Sequence, residues 1–214
     1  MSKPIEITYL FDPLCGWCYG ASAMLEKLAA RLDVTIELAP TGLFASDGAR
    51  PMDDGFATYA WTNDQRISRL TGQPFSEDYR SKVVGDRTSK LDSGPATLAL
   101  TAVAIAAPER EFEALKAIQK TRYVEGRTST DIAVLSDILH GLRLHEAADR
   151  LAASDPHLIA AHRKRTKAAR AEMRAFGADG VPTLIAGIGD NRRIVRASAP
   201  FRSVEALVAE LQAT

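Results

Sequence analysis

The feature that most constrains this chain is Cys15-Gly16-Trp17-Cys18, which holds the only two cysteines of 214 residues. It falls where strand character gives way to helical spacing. Upstream, Ile5-Glu6-Ile7-Thr8-Tyr9-Leu10-Phe11 is rich in β-branched and aromatic residues and has the length of a buried strand; downstream, Ala21, Met24, Leu25, Leu28 and Leu32 recur at helical intervals. The first cysteine therefore opens a helix, where unpaired first-turn N–H groups and the positive end of the helix dipole favour a thiolate. Thiols in that position are the reactive ones, whereas cysteines buried among apolar groups are inert. A bridge between Cys15 and Cys18 closes so short a loop that chain entropy gives it only about 2 kcal/mol, which argues for a redox switch over a structural staple. Zinc lacks partners in the sequence: there is no second Cys-x-x-Cys, and His140/His145 and His157/His162 are each five apart, a spacing that puts helical neighbours on different faces.

With 27 basic and 27 acidic residues, the chain has no net charge to draw it to nucleic acid or an anionic membrane. Met1-Ser2-Lys3-Pro4 leads directly into the first strand with no charged, apolar and small-residue succession, and the longest apolar patch, Leu98 to Ala107, is broken by Thr101 and closed by Pro108. The expectation is a cytoplasmic protein, where an accessible dithiol is kept reduced and is usually catalytic.

Val34-Thr35-Ile36-Glu37-Leu38 reads as a second strand ending at Pro40, one crossover helix after the first. This makes a βαβ unit. Thr41 to Asp53 has the Gly, Pro and Asp content of a loop. From about Phe56 to Phe176 nearly everything reads helical: Ser93-Gly94-Pro95 opens one helix, Pro108 the next, Ser129-Thr130-Asp131 another that stops near Gly141, and Asp155-Pro156 the last. In that last helix Ile159, His162, Thr166, Ala169, Met173 and Phe176 share one face, which makes His162 a satisfied core-edge residue. Arg163, Lys167, Arg170 and Arg174 share another, read as solvated. Gly180-Val181-Pro182-Thr183-Leu184-Ile185 returns to strand character, and Arg193-Ile194-Val195-Arg196 follows across a glycine-rich turn as a hairpin; Ser203 then caps a helix to Gln212. The aromatics Trp17, Tyr19, Phe44, Tyr59 and Trp61 could line an apolar groove near the cysteines, but such spacings are more often those of core residues, and only Trp17 and Tyr19 are placed by the motif itself.

Taken together, the Cys15-Gly16-Trp17-Cys18 element, the long helical interruption and Val181-Pro182-Thr183 before a closing hairpin resemble the DsbA-type branch of the thioredoxin superfamily. Within it the chain is most similar to the predicted protein-disulfide isomerases without a signal peptide, through the stretch from Tyr9 to Ala21, the stretch from Arg66 to Phe75, and Tyr123-Val124-Glu125-Gly126-Arg127. The resemblance implies an α/β, thioredoxin-like fold with residues 1–50 and 177–214 forming one discontinuous domain and residues 51–176 an inserted helical one. It implies a cis Pro182 against the Cys15 sulfur, Cys15 as the attacking and Cys18 as the resolving cysteine, and the Val181 backbone as the edge that pairs with an extended substrate, a use of an unpaired strand end that needs no particular substrate sequence. The sequence departs from the branch at the strand position that carries a buried acid in related proteins, which is Tyr9 here; Asp12 is the nearest substitute, and it also reads as a turn residue before Pro13.

The function these readings favour is thiol-disulfide exchange on a protein or small-thiol substrate, with no cofactor beyond the redox-active pair, glutathione as a candidate co-substrate and the electron donor unspecified. Two alternatives stand beside it. One is a glutathione-dependent transferase or isomerase of the same architecture, against which the intact cysteine pair counts; the other is a redox-regulated binding or chaperone module. No nucleic-acid or membrane partner is expected, and the assembly state is open, a homodimer included.

Overall fold

The computed structural model describes residues 5–31, 33–195, 198–201 and 203–212. The readings placed on Met1 to Pro4, Leu32 and Arg196 lie outside the described residues. Strands β1 (Ile5–Phe11), β2 (Val34–Pro40), β5 (Thr183–Ala186) and β6 (Arg193–Ile194) form one sheet in the order β2-β1-β5-β6. β1 runs parallel to β2 from Ile5 opposite Val34 to Phe11 opposite Pro40, and antiparallel to β5 with Tyr9 opposite Leu184. The parallel pair needs a crossover, and α1 (Gly16–Ala29) supplies it. Cys18, Ala21, Ser22, Leu25 and Leu28, spaced three and four apart, are its buried stripe.

Between β2 and β5 the chain is mainly helical. The loop after β2 contributes β3 (Arg50–Pro51), which pairs with β4 (Lys90–Leu91), a short ladder in a stretch that reads as loop from composition. α2 (Asp54–Thr71) starts on the Asp53 carboxylate, which accepts from the Phe56 N–H at 2.8 Å, and ends at Gly72 with φ +75°. α3 (Glu77–Tyr79) continues into a wide turn, Arg80–Val84. α4 (Gly94–Ala106) is apolar on nearly every side and is the central helix of the bundle, in contact with α5 (Glu111–Tyr123), α6 (Ile132–Gly141), α7 (His145–Ala152) and α8 (Pro156–Ala175). The Asp131 and Asp155 carboxylates cap α6 and α8, and Ser203 Oγ caps α9 (Val204–Gln212). α8 covers the sheet face away from α1: Ala169, with Met173 and Phe176, packs on Leu10, Ala39 and Ile185.

Two readings of the helical block need correction and a third gains a contact. His140 and His145 are not on separate faces of one helix, because α6 ends at Gly141 and the chain turns through Arg143 at φ +60°; their Nδ1 atoms meet at 3.1 Å across the turn. His162 sits half-buried at the core edge, but its Nδ1 has no hydrogen-bond partner among the described residues, and burial, with Arg165, Arg163 and Arg170 nearby, holds its pKa down. The basic stripe of α8 is exposed as expected at Arg163, Lys167, Arg170 and Arg174, but Arg170 also donates to the carbonyls of Thr41 at 2.8 Å and Gly42 at 2.5 Å, pinning the loop after β2. In each case a tertiary neighbour, invisible to helical spacing, decides the outcome.

Candidate active site

β1 delivers the chain to the site and α1 leaves it. Between them, the Asp12 carboxylate accepts from the Leu14 N–H at 2.9 Å while the Cys15 N–H donates to the Asp12 carbonyl at 3.1 Å, a tight turn that sets Cys15 at the N-cap of α1. No side chain caps this helix end and its first turn carries no acidic residue, so the dipole's positive end faces the Cys15 sulfur uncompensated. Cys15 is 7% exposed and Cys18 wholly buried, and both are reduced. Burial, and then the hydrogen bond with Cys15, pushes the Cys18 thiol well above the ordinary cysteine range.

The Val181–Pro182 bond is cis, and the Cys15 thiol donates to the Val181 carbonyl at 3.7 Å. Cys15, Val181 and Pro182 thus come together from positions 166 residues apart, while Cys18 lies one helical turn inward and away from the surface. Beneath the pair, Tyr9 is fully buried and donates through its hydroxyl to the Cys18 carbonyl at 3.4 Å; burial and then the two thiols raise its pKa. Asp12 is both of the things the sequence allows. It makes the turn, and it is a fully buried acid whose other oxygen accepts from Ser93 Oγ at 2.6 Å and the Phe44 N–H at 3.1 Å. Burial raises its pKa while those donors oppose the rise.

Two depressions flank Trp17. A cavity of about 180 Å³ is lined by Cys15, Gly16, Trp17, Phe44, Tyr59, Asp64, Tyr79 and Arg122 among others; a groove of about 770 Å³ runs past Trp17, Leu70, Val181, Pro182 and Phe201. Trp17 and Phe44 pack against the core and also line the cavity beside Cys15, where Tyr59, exposed, joins them, because the cavity opens where α2 crosses the start of α1. Tyr19 and Trp61 do not line it: Tyr19 stacks on Tyr123 at 4.6 Å and Trp61 leans on Tyr79.

Sequence reasoning missed Asp64, Tyr79 and Arg122. Their one signal is position, since Arg122 precedes the Tyr123-Val124-Glu125-Gly126-Arg127 stretch and Asp64 precedes the Arg66 to Phe75 stretch. Those stretches are there to hold the redox helix. Gln73 Nε2 donates to Ser22 Oγ and the Tyr19 carbonyl, the Tyr19 hydroxyl to the Pro74 carbonyl at 3.1 Å, and the Tyr123 hydroxyl to the Leu14 carbonyl at 2.8 Å. Gly16 and Gly20 allow the contact with α2: a Cβ on Gly16 would lie 2.4 Å from Asp64 Oδ1, and one on Gly20 2.5 Å from Ile67 Cγ2.

Residues 6–210 match the DSBA-like thioredoxin domain family. The chain belongs to that family. It is a thiol-disulfide oxidoreductase, with the dithiol at the helix start and the cis-proline loop facing it. Among solved structures it is similar to the cytosolic disulfide reductase DsbM from Pseudomonas aeruginosa, at 30% identity over 97% of this chain and 98% of that one, with a TM-score of 0.84. The DsbM structure with GSH matches at the same identity and a TM-score of 0.80. A candidate protein disulfide isomerase from Nitrosomonas europaea shares the fold at 22% identity, covering 98% of this chain and 96% of that one, with a TM-score of 0.80. No curated protein sequence matches the chain significantly. Among the described residues, no helix is long and apolar enough to cross a membrane and no group of three or more histidine, cysteine, aspartate or glutamate side chains is arranged to hold a metal.

Proposed function

We propose that the chain is a cytoplasmic disulfide reductase that draws its electrons from glutathione. The observation that carries this reading is the Cys15 sulfur, at an uncapped helix N-terminus, 3.7 Å from the Val181 carbonyl and beside a cavity of small-molecule size. The likeness to DsbM, a reductase with a GSH-bound form, supports the direction and the donor.

In this reading the Cys15 thiolate attacks one sulfur of a substrate disulfide; the substrate S–S bond breaks, one substrate thiolate leaves, and a mixed disulfide joins Cys15 to the other half. Cys18 then loses its proton and attacks Cys15 Sγ, releasing the second substrate thiolate and leaving a Cys15–Cys18 disulfide. Two glutathione molecules return two electrons to that bond and leave as glutathione disulfide. The buried Cys18 thiol needs a proton acceptor, and Asp12, a buried carboxyl whose proton affinity burial raises above the ordinary carboxylate range, serves as that group in place of the strand acid that Tyr9 replaces. The Val181 and Pro182 backbone holds the extended substrate, and residues 51–176, taken as an inserted domain, wall the site. The Cys15–Cys18 equilibrium measured in defined glutathione buffers tests the assignment. Reduction of the pair at cytosolic glutathione ratios supports it, and a pair that stays oxidised there overturns it.

A further inference from the structure

The cavity beside Cys15 contains two buried ionisable side chains of opposite type, which form no direct ion pair and are linked through the Tyr79 hydroxyl. Asp64 is 4% and Arg122 3% exposed, and both line the cavity. Arg122 makes no ion pair within 4.0 Å among the described residues, and its Nε is buried without a hydrogen-bond partner. Its guanidinium lies over the rings of Tyr79 at 5.6 Å and Tyr123 at 5.7 Å and also interacts with the Tyr79 hydroxyl, contacts that orient the plane without supplying a counter-ion. Asp64 spends one oxygen on the Tyr79 hydroxyl, at 2.9 Å, and turns the other toward Gly16 at the start of α1. Buried lone charges are costly unless something completes them, and a guanidinium, with its planar fork of donors, is completed best by a carboxylate. The volume, about 180 Å³, far exceeds the roughly 10–15 Å³ a single water needs.

We propose that this cavity is a subsite for the amino-acid end of a small zwitterionic thiol, with Arg122 taking its carboxylate and Asp64 its ammonium, so that the thiol sulfur is delivered to Cys15. The proposal rests on the glutathione reading and supplies its specificity. Charge balance favours a zwitterion over a simple anion: a carboxylate alone would complete Arg122 and leave Asp64 against a second negative group. Burial raises the Asp64 pKa to about 7, opposed by the Tyr79 hydrogen bond and by Arg122, so near neutral pH both forms of the carboxyl are populated; an arriving ammonium favours the carboxylate and an arriving anion disfavours it. The groups that face Asp64 are Tyr79 and Arg122, with Gly16 and Ile67 closing the side toward α1 and α2; Arg50 stands at the exposed rim, over Phe56. Aromatic walls from Trp17, Phe44, Phe56 and Tyr59 leave the two charged ends as the only ionic anchors apart from that rim.

Calorimetry on the reduced wild-type protein tests the subsite with ligands that cannot exchange sulfur. S-methylglutathione is the reference, its diester removes the carboxylates, and its N-acetyl form removes the ammonium. The diester and the N-acetyl form are each expected to bind at least tenfold more weakly than the reference, and these arms need no variant to fold. Asp64→Asn should then erase most of the N-acetyl penalty, and Arg122→Met most of the diester penalty, in proteins whose circular dichroism matches wild type. Equal binding of all three ligands, or no measurable binding of the reference, overturns the subsite. Failure of glutathione to reduce the Cys15–Cys18 bond would instead overturn the proposed function, and intact reduction without ligand discrimination removes the subsite alone.

Discussion

The two depressions on either side of Trp17 share a wall and differ in almost everything else. The cavity on the Cys15 side is small and carries the buried ionisable groups Asp64 and Arg122; the groove on the Pro182 side is about four times larger and is edged by Leu70, 53% exposed, and Ile194, 44% exposed. Trp17 is held between them, edge-on to Phe201 at 5.3 Å and under the Arg66 guanidinium. Under the proposed function the protein meets two partners of unlike size, a substrate and a reductant, and the difference between the depressions suits one sulfur to both. An extended chain can lie along the apolar groove on main-chain contacts, and a small polar molecule can enter where charges wait for it.

The comparison breaks most completely at the sulfur both sides share. Cys15→Ser should abolish reduction of a protein disulfide such as insulin, while Cys18→Ser should trap mixed disulfides visible on non-reducing gels; equal, full activity in both would dissolve the comparison. The next largest effect is on stability. Burial raises the Asp64 pKa to about 7 in the folded chain, from 3.8 for a free aspartate carboxyl, so the native state binds more protons than the unfolded chain between those values. Its contribution is complete below about pH 4 and declines as pH rises through 7, by up to roughly 4 kcal/mol. Urea midpoints should therefore fall from pH 4.5 to 7.5 in wild type and fall less in Asp64→Asn. A parallel decline in both would place the effect elsewhere.

Smaller effects separate the two sides. Leu70→Asp should raise KM for a protein disulfide several-fold more than KM for a small aromatic disulfide, and a uniform rise would deny the groove its role. Tyr123→Phe loses the hydrogen bond to the Leu14 carbonyl and should cost about 1 kcal/mol in denaturant unfolding, since a buried acceptor is left unpaired. A short iodoacetamide pulse should label Cys15 ahead of Cys18, which is wholly buried and has its thiol pKa pushed up; mass spectrometry of the two peptides reads the order.

Much of the scaffold is legible in the sequence because it follows from local rules. β1, α1, the closing hairpin and the caps at Asp131, Asp155 and Ser203 depend on alternation, helical spacing and short-range hydrogen bonds. The Cys15 and Cys18 pair announces itself, and Val181-Pro182 stands out only through the resemblance. The chemistry of the cavity is not legible in the same way. Asp64 looks like any polar residue of an amphipathic helix, and its burial is the work of Tyr79, fifteen residues on, and of α1 crossing from the far side. Arg122 lies in the last turn of α5, where a basic residue is ordinarily a solvated complement to the helix dipole. His140 and His145 fail for the opposite reason: the spacing argument assumes one continuous helix, and the chain turns between them.

The glycine between the two redox residues has a consequence for anyone who would re-engineer this protein. Varying the two residues between Cys15 and Cys18 would treat positions 16 and 17 as independent dials. Here position 16 is not a free dial, because its missing side chain is the space that Asp64 occupies. A library that varies Gly16 alone would select against bulk before it selected for any redox property. One that varies 16 and 64 together, letting a smaller residue on α2 make room, would open the combinations that the single-site library can never sample.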